Sequence, residues 1–324
     1  MSRAAKFLEI AAGVVIASSL LAGSAQAAWP ERTVTIVTPF AAGGIADVVA
    51  RLTAERLQST LKQNFIVENQ TGAAGTLAPE RVAKAAPDGY TLMSTPIFQL
   101  TTAKYAHNVS FDENKDFKPI SALASAPFVI TVGGDFPGNT LADFIAHVKA
   151  NQGKLTYGSA GVGSTTHATA VLVLKAAGLD MVHVPYRGVA PAFTDLLAGH
   201  IVMLAASPVE LKPYLESKKV KPLAVVDKKP SRFLPGVPSV NETLKECPPA
   251  VTYNGLLGPA NLPKEVVETL SRELVAAGKN PEFVQRVTNV GLEPLLSTPD
   301  EFSKLIAADS ALWTPIMPSL VPKQ

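Results

Sequence analysis

Residues 155–175 read LTYGSAGVGSTTHATAVLVLK, a short β-prone run, a glycine turn and a helix in immediate succession. Leu155, Thr156 and Tyr157 supply the strand, and Gly158, Gly161 and Gly163 permit the backbone angles of a tight turn. Ser164, Thr165 and Thr166 then offer capping hydroxyls to a helix expected over 167–175. The first turn of a helix carries unpaired N–H groups and a partial positive charge. With glycines allowing close approach, the stretch forms an anion seat.

The same layout occurs upstream. Residues 33–37 (TVTIV) alternate as a β-branched strand, 39–44 (PFAAGG) form a turn, and 46–61 carry an amphipathic helical pattern. Glycine turns before helices are common in α/β proteins, so either unit alone says little about function. Two of them in an exported chain without obvious catalytic residues favour binding, with a ligand whose carboxylates are gripped from two sides.

Residues 1–27 have the three parts of a secretory signal: Arg3 and Lys6, an apolar core over 10–22, and Ala25-Gln26-Ala27 as the cleavage site. The apolar run is short for a membrane span, and no cysteine follows it to take a lipid. A mature, soluble chain is expected to start at Ala28. The remainder, about 300 residues, is long enough for two domains with buried cores. A net charge of +2 argues against a nucleic-acid surface. Cys247 is the sole cysteine, which leaves no disulfide within the chain and no cysteine metal cluster. Export without disulfides fits a bacterial periplasm.

From residue 33 onward, strand-like and helix-like segments alternate. Strands over 33–38, 64–69 and 90–95 enclose helices over 46–61 and 72–85, a βαβαβ order that predicts a parallel sheet flanked by helices. Apolar runs at 120–123 and 128–132 suit a strand passing between lobes. The pattern then repeats, with a helix over 141–150, the focal unit, a buried strand over 182–185, a helix over 191–198, a strand over 201–205, a helix over 208–217 and a strand over 220–225. Residues 227–249 are proline-rich, basic and irregular, and are expected to be surface chain. A strand over 251–257 and helices over 264–276, 281–290 and 299–313 pack back on the first lobe. The expectation is a first lobe of 28–127 completed by 251–324, an inserted second lobe of 128–250, and a ligand in the cleft.

Several chemistries can be weighed on single residues. Gly158 to Thr165 comes within one residue of the phosphate loop GxxxxGK[ST], but Ser164 stands where the lysine must be, and a neutral hydroxyl loop suits a carboxylate better. No serine sits in G-x-S-x-G, since Tyr157 lies two positions before Ser159. A hydrolase using Ser164 or Ser159 with His167 is the rival reading. His167 can donate to a ligand or bond to its own loop. His183 is expected to be a satisfied core residue, and His107, His147 and His200 are scattered without metal spacing. Asp47 is expected to tie down the Gly43-Gly44 turn, and Arg187 to be solvated unless it lies near the cleft, where it would draw anions. No cofactor or metal is expected.

TIVTPFAAGGIAD (35–47), VENQTGAAG (67–75), KAAPDGYTL (84–92), KLTYGSAGVGSTTH (154–167) and VHVPYRGVAPAFTDLLAG (182–199) closely resemble the extracytoplasmic solute receptors of the tripartite tricarboxylate transporter family, the Bug-type receptors. FLPGVPSVNE (233–242) and LLGPANLPKEVV (256–267) extend the resemblance over essentially the whole mature chain. It implies a two-lobed type II periplasmic binding fold, an α/β Venus flytrap, acting as a monomer without catalysis on a di-, tri- or aromatic carboxylate, with a membrane permease or a sensor as partner. Carried over by position, it implies ligand contacts at Phe40, Ala42, Gly43, Gly44 and Asp47, and at Ser159, Gly161, Gly163, Ser164, Thr165, Thr166 and His167. Two departures stand out. Ala46 replaces a hydroxyl that members often carry, and Val202 and Ala206 fall where many relatives have aspartates. The loss of the acid at Ala206 implies an apolar-bodied carboxylate rather than an amino acid.

Overall fold

The structure, a computed structural model, describes residues 29–315 and 317–320; the leader read over 1–27 lies outside them. β1 (Val34–Thr38) leads through the PFAAGG turn into α1 (Ile45–Leu61), and β2 (Phe65–Asn69) follows. A 3₁₀ turn at Ala73–Gly75 and α2 (Leu77–Ala83) precede β3 (Thr91–Pro96), which runs directly into α3 (Ile97–Ala106). β4 (Phe117–Pro127) closes this part.

The second part contains β5 (Val129–Gly133), α4 (Leu141–Lys149), β6 (Thr156–Ser159), α5 (Thr165–Ala177), β7 (Val182–Pro185), α6 (Val189–Leu197), β8 (Met203–Ala206), α7 (Pro208–Leu215) and β9 (Val220–Val225). The chain then returns through β10 (Val251–Pro259), α8 (Lys264–Gly278), α9 (Pro281–Asn289), β11 (Glu293–Pro294), α10 (Pro299–Trp313) and α11 (Met317–Leu320).

Two mixed sheets result. The first has the order β11-β4-β10-β3-β1-β2 and the second β7-β6-β8-β5-β9. In each, a central parallel strand pairs with the next two strands in sequence, one on either side: β1 with β2 and β3, β6 with β7 and β8. An antiparallel strand then adjoins the third, β10 beside β3 and β5 beside β8. The chain therefore reverses its direction of travel beside β1 and beside β6. Crevices at the carboxyl ends of strands at such reversal points are where open α/β sheets bind ligands. Each sheet with its helices forms one lobe of a single compact unit that begins at Arg32.

The core follows from the apolar patterning. Val37, Met93, Ile97, Phe117, Leu257 and Phe302 cluster in lobe 1, and Val129, Ala192, Phe193, Leu204, Ala206 and Leu211 in lobe 2. A third cluster joins Phe98 and Trp313 to Phe128, Ala168 and Val173, so that α3 and the end of α10 pack against lobe 2. The chain crosses between lobes at Phe128 and again at Ala250. The two crossings touch, with Phe128 N donating to Ala250 O at 3.0 Å.

Three elements differ from expectation. α3 fills a gap left without structure between 95 and 115, because its residues are buried nearly all round and give no amphipathic stripe. β7 is not buried: it is an edge strand paired only to β6, with Val182 exposed. Residues 227–249 are more than surface chain, since Leu234, Val240 and Cys247 are buried and Ser239 bridges to Val225 beside β9. Prolines forbid regular pairing there without forbidding burial.

Candidate functional site

The first turn is held by Asp47. Its Oδ2 accepts from Gly43 N at 3.0 Å and from Arg51 Nε at 3.0 Å, and its Oδ1 accepts from Asn69 Nδ2 at 2.9 Å. Burial alone would raise the pKa of this carboxyl, but hydrogen bonds from Arg51, Gly43 and Asn69 outweigh it and hold it below its usual value. Asn69 also donates to Phe40 O at 2.8 Å, tying the turn to the end of β2. Ala42 and Gly43 are exposed, while Gly44 is the buried N-cap of α1 and, lacking a side chain, offers no cap of its own.

The second turn is tied internally. Ser159 is fully buried, and its Oγ lies 2.6 Å from His183 Nε2 and accepts from Gly161 N at 3.1 Å. Thr166 Oγ1 accepts from Ala160 N at 2.9 Å, and Ser164 Oγ accepts from His167 N at 3.3 Å as the N-cap of α5. Gly163 N donates to His167 Nδ1 at 3.1 Å, which leaves the ring proton of the neutral imidazole on Nε2. The rings of His167 and His183 stack 4.0 Å apart, with Tyr157 against His183 at 5.0 Å. Burial, and for His167 the neighbouring His183, push these histidines down to about 3 and about 4. Both are neutral in ordinary conditions, and α5 has no acid in its first turn. The hydroxyl and imidazole groups at this turn thus serve the loop, and Thr165, buried at the first position of α5, adds its backbone N–H to the free donors of that helix end.

The two turns meet between the lobes. Phe40 packs into the lobe-2 cluster beside Ala160 and Val189. Gly161, at φ +127°, is so close to Ala74 that a Cβ there would lie 3.1 Å from the alanine methyl. His107 Nε2 is 2.6 Å from Val162 O, and Ile45 N donates to Glu210 Oε1 at 3.3 Å, both across the lobes. Between them lies a cavity of about 310 Å³ whose lining includes Phe40, Thr71, Ala74, Ala160, Tyr186 and Arg187. Ala73 and Ala74, at φ +44° and +50°, hold its rim in a conformation costly for non-glycine residues. A larger cavity, about 620 Å³, sits at the opposite edge of the second sheet among Gly133, Phe136, Ala198 and Lys218. Neither the predicted residues of the two turns nor the buried polar groups described next line it.

Thr38, Ser94, Gln99 and Asn254 are fully buried, and their side-chain polar atoms find no partner within the protein. All belong to one end of the adjacent inner strands of the first sheet or to the helix that follows: Thr38 ends β1, Ser94 lies two residues before the end of β3, Gln99 is in the first turn of α3, and Asn254 of β10 pairs with Pro96 in register. Thr169, one turn into α5, is in the same condition. Buried polar groups are nearly always paired, so such a cluster beside two reversal points marks a place where a polar ligand or water completes the bonding.

The turns that carry the predicted residues meet at one interface, but Phe40 alone of those residues is among the lining of the cavity. Ala206 ends β8 but is fully buried in the lobe-2 apolar cluster and does not line the cavity. Thr71, Ala74, Gln99, Asn254 and Glu210 were missed. Only Glu210 carried a legible local signal, the Ser207-x-x-Glu210 capping box, and that pattern says nothing about reach across a cleft.

Comparison with known proteins identifies relatives of the chain as a whole. Residues 49–321 match the family described as tripartite tricarboxylate transporter family receptor. The chain is 33% identical over 301 residues to a protein of Agrobacterium vitis encoded in the TAR-I ttuE–ttuC′ intergenic region, covering 91% of this chain and 87% of that one. Among solved structures, the periplasmic binding protein BugD is similar at 32% identity and TM-score 0.86, over 91% of this chain and all of that one. An R. palustris protein solved with adipate is similar at 28% and 0.88, over 91% and 100%. MatC from Rhodopseudomonas palustris with bound malate is similar at 30% and 0.83, over 89% and 100%.

Proposed function

The chain belongs to the tripartite tricarboxylate transporter family of receptors, and we propose that it captures a small organic carboxylate between its two lobes and performs no chemistry on it. The observation that carries this reading is the set of unpartnered buried groups, Thr38, Ser94, Gln99 and Asn254, at one end of the inner strands of the first sheet. A cavity of about 310 Å³ suits a ligand of a few carbon atoms, at the small end of the range for ligand sites. Adipate and malate, held by two solved relatives, are small carboxylates.

The first-lobe contacts proposed are Phe40, Ala42, Gly43, Gly44 and Asp47. In the second lobe, Ser159, Gly161, Gly163, Ser164, Thr166 and His167 shape the turn through bonds among themselves and Thr165 offers its backbone N–H, with Arg187 added from the cavity lining. The apolar surroundings of Ala206 support an apolar-bodied acid over an amino acid. The leader over 1–27 delivers the chain to the periplasm by cleavage after Ala27, and a membrane permease or sensor receives the loaded, monomeric form.

A thermal-shift screen over dicarboxylates, tricarboxylates, aromatic acids and amino acids tests this directly, with each solute recovered and identified afterwards. At least one simple or aromatic acid raises the melting temperature and is recovered intact. Turnover of the solute would contradict the absence of chemistry, and tighter binding of a free amino acid than of any such acid would contradict the role given to Ala206.

A further inference from the structure

The first-lobe anion seat is already filled by the protein. Glu210, from α7 in lobe 2, is 6% exposed, and its Oε2 accepts from Ser207 N at 2.7 Å and Ser207 Oγ at 2.8 Å. Its Oε1 crosses the interface to accept from Ile45 N, the first residue of α1, at 3.3 Å. The same oxygen is 3.6 Å from where a Cβ on Gly44 would stand, so the carboxyl group lies at the N-cap that Gly44 leaves without a side chain. All three hydrogen-bonding contacts are donors to it, the pattern of a carboxylate rather than a carboxylic acid. Burial raises its pKa above the ordinary carboxylate value, and the hydrogen bonds from Ser207 and Ile45 offset that rise only in part.

We propose that Glu210 is a specificity-determining residue: it supplies the anion at the start of α1, so the solute bears its negative charge at one end only, the end that meets lobe 2. This rests on the carboxylate-receptor reading above and narrows it to monocarboxylates with a neutral distal end. The charges around the cleft are arranged accordingly. The start of α1 already carries Glu210 and Asp47; Arg51 pairs with Asp47 and leaves Glu210 without a cation among the described residues, so a further carboxylate there would meet like charge. The start of α5 carries none, and Arg187, on the lobe-2 wall of the interlobe cavity, has no ion-pair partner among the described residues. The lobe-1 wall is neutral, and the unpartnered groups behind it are hydroxyls and carboxamides, which bond to neutral oxygen or nitrogen as readily as to charge.

The test is calorimetric titration of butyrate against succinate and hexanoate against adipate, with the wild-type protein, Glu210→Gln and Glu210→Ala, each checked for folding by circular dichroism. The wild type is expected to bind the monocarboxylate of at least one pair ten or more times more tightly than the dicarboxylate. Glu210→Gln, which keeps a hydrogen-bonding carbonyl without the charge, is expected to shrink that preference at least tenfold, chiefly by gaining affinity for the dicarboxylate, and Glu210→Ala to do the same if it folds. A wild type that prefers the dicarboxylate, or a preference unchanged in Glu210→Gln, overturns the proposal while leaving a carboxylate receptor standing. If none of the four acids nor any acid of the wider screen binds the wild type, both readings fall together.

Discussion

Asp309 has the environment that Asp47 escapes. It lies on α10 with 5% exposure, its Oδ2 has no partner, and burial pushes its pKa from 3.8 up to about 7 against the opposing effect of a hydrogen bond from Trp313. Asp47 is equally buried by area but gathers three donors, and its pKa falls. For Asp309 the linkage runs opposite to that of a paired acid. The folded state holds the proton that the unfolded chain has released between about pH 4 and pH 7, so stability declines as pH rises through that window and is level above it. Asp309→Asn, which cannot ionise, should therefore melt close to the wild type at pH 4 and several degrees higher at pH 8, since a shift of this size corresponds to on the order of 4 kcal/mol at most. Equal melting temperatures at pH 8 would show that the carboxylate finds a partner or water. The histidine pair tilts the other way: its neutral, stacked form is lost as pH falls from the ordinary histidine range toward 4 and 3.

At the scale of elements, α3 seats closely against the glycine turn of the other lobe. Gly163, at φ +78°, would place a Cβ 2.4 Å from the Ala106 methyl, whereas Gly178, at φ +65° as the C-cap of α5, has nothing within 4 Å. Both positions penalise alanine through backbone strain, by about 1 kcal/mol or somewhat more, but only the first forces the lobes apart. Gly163→Ala is expected to weaken binding of the best acid at least tenfold and Gly178→Ala to leave it within twofold, as calorimetry would show; equal effects would mean the interface does not need that contact. Where periodicity and caps agreed, the elements were legible from the residues: β1, α1 and α10 fall within a residue or so of expectation, the last framed by Thr298 and Pro299. α3 was not legible because burial on every side erases the helical stripe, and β7 misled because an edge strand can still be apolar. At the site, the two turns announced themselves through glycine and hydroxyl spacing. Gln99, Asn254 and Glu210 did not, because their significance lies in missing or distant partners, which only the folded chain brings into view.

At the scale of the molecule, two sheets of like topology present their reversal points to each other, joined by crossings at Phe128 and Ala250 that lie hydrogen-bonded side by side. Two adjacent crossings permit hinge bending about a single line, the motion by which two-lobed binding proteins close. A solute favours the closed form only through contacts it makes with both lobes at once. His107 with Val162 and Ile45 with Glu210 join lobe to lobe directly, while the buried groups of the first sheet have no partner within the protein. The central claim is that one acid is held by both turns together. Hydrogen exchange, measured with and without the acid that most raises the melting temperature, tests it most directly. The expected result is slowed exchange in both residues 39–47 and residues 159–167. Slowed exchange in one of these turns alone, or only around the cavity at the opposite edge of the second sheet, would contradict it.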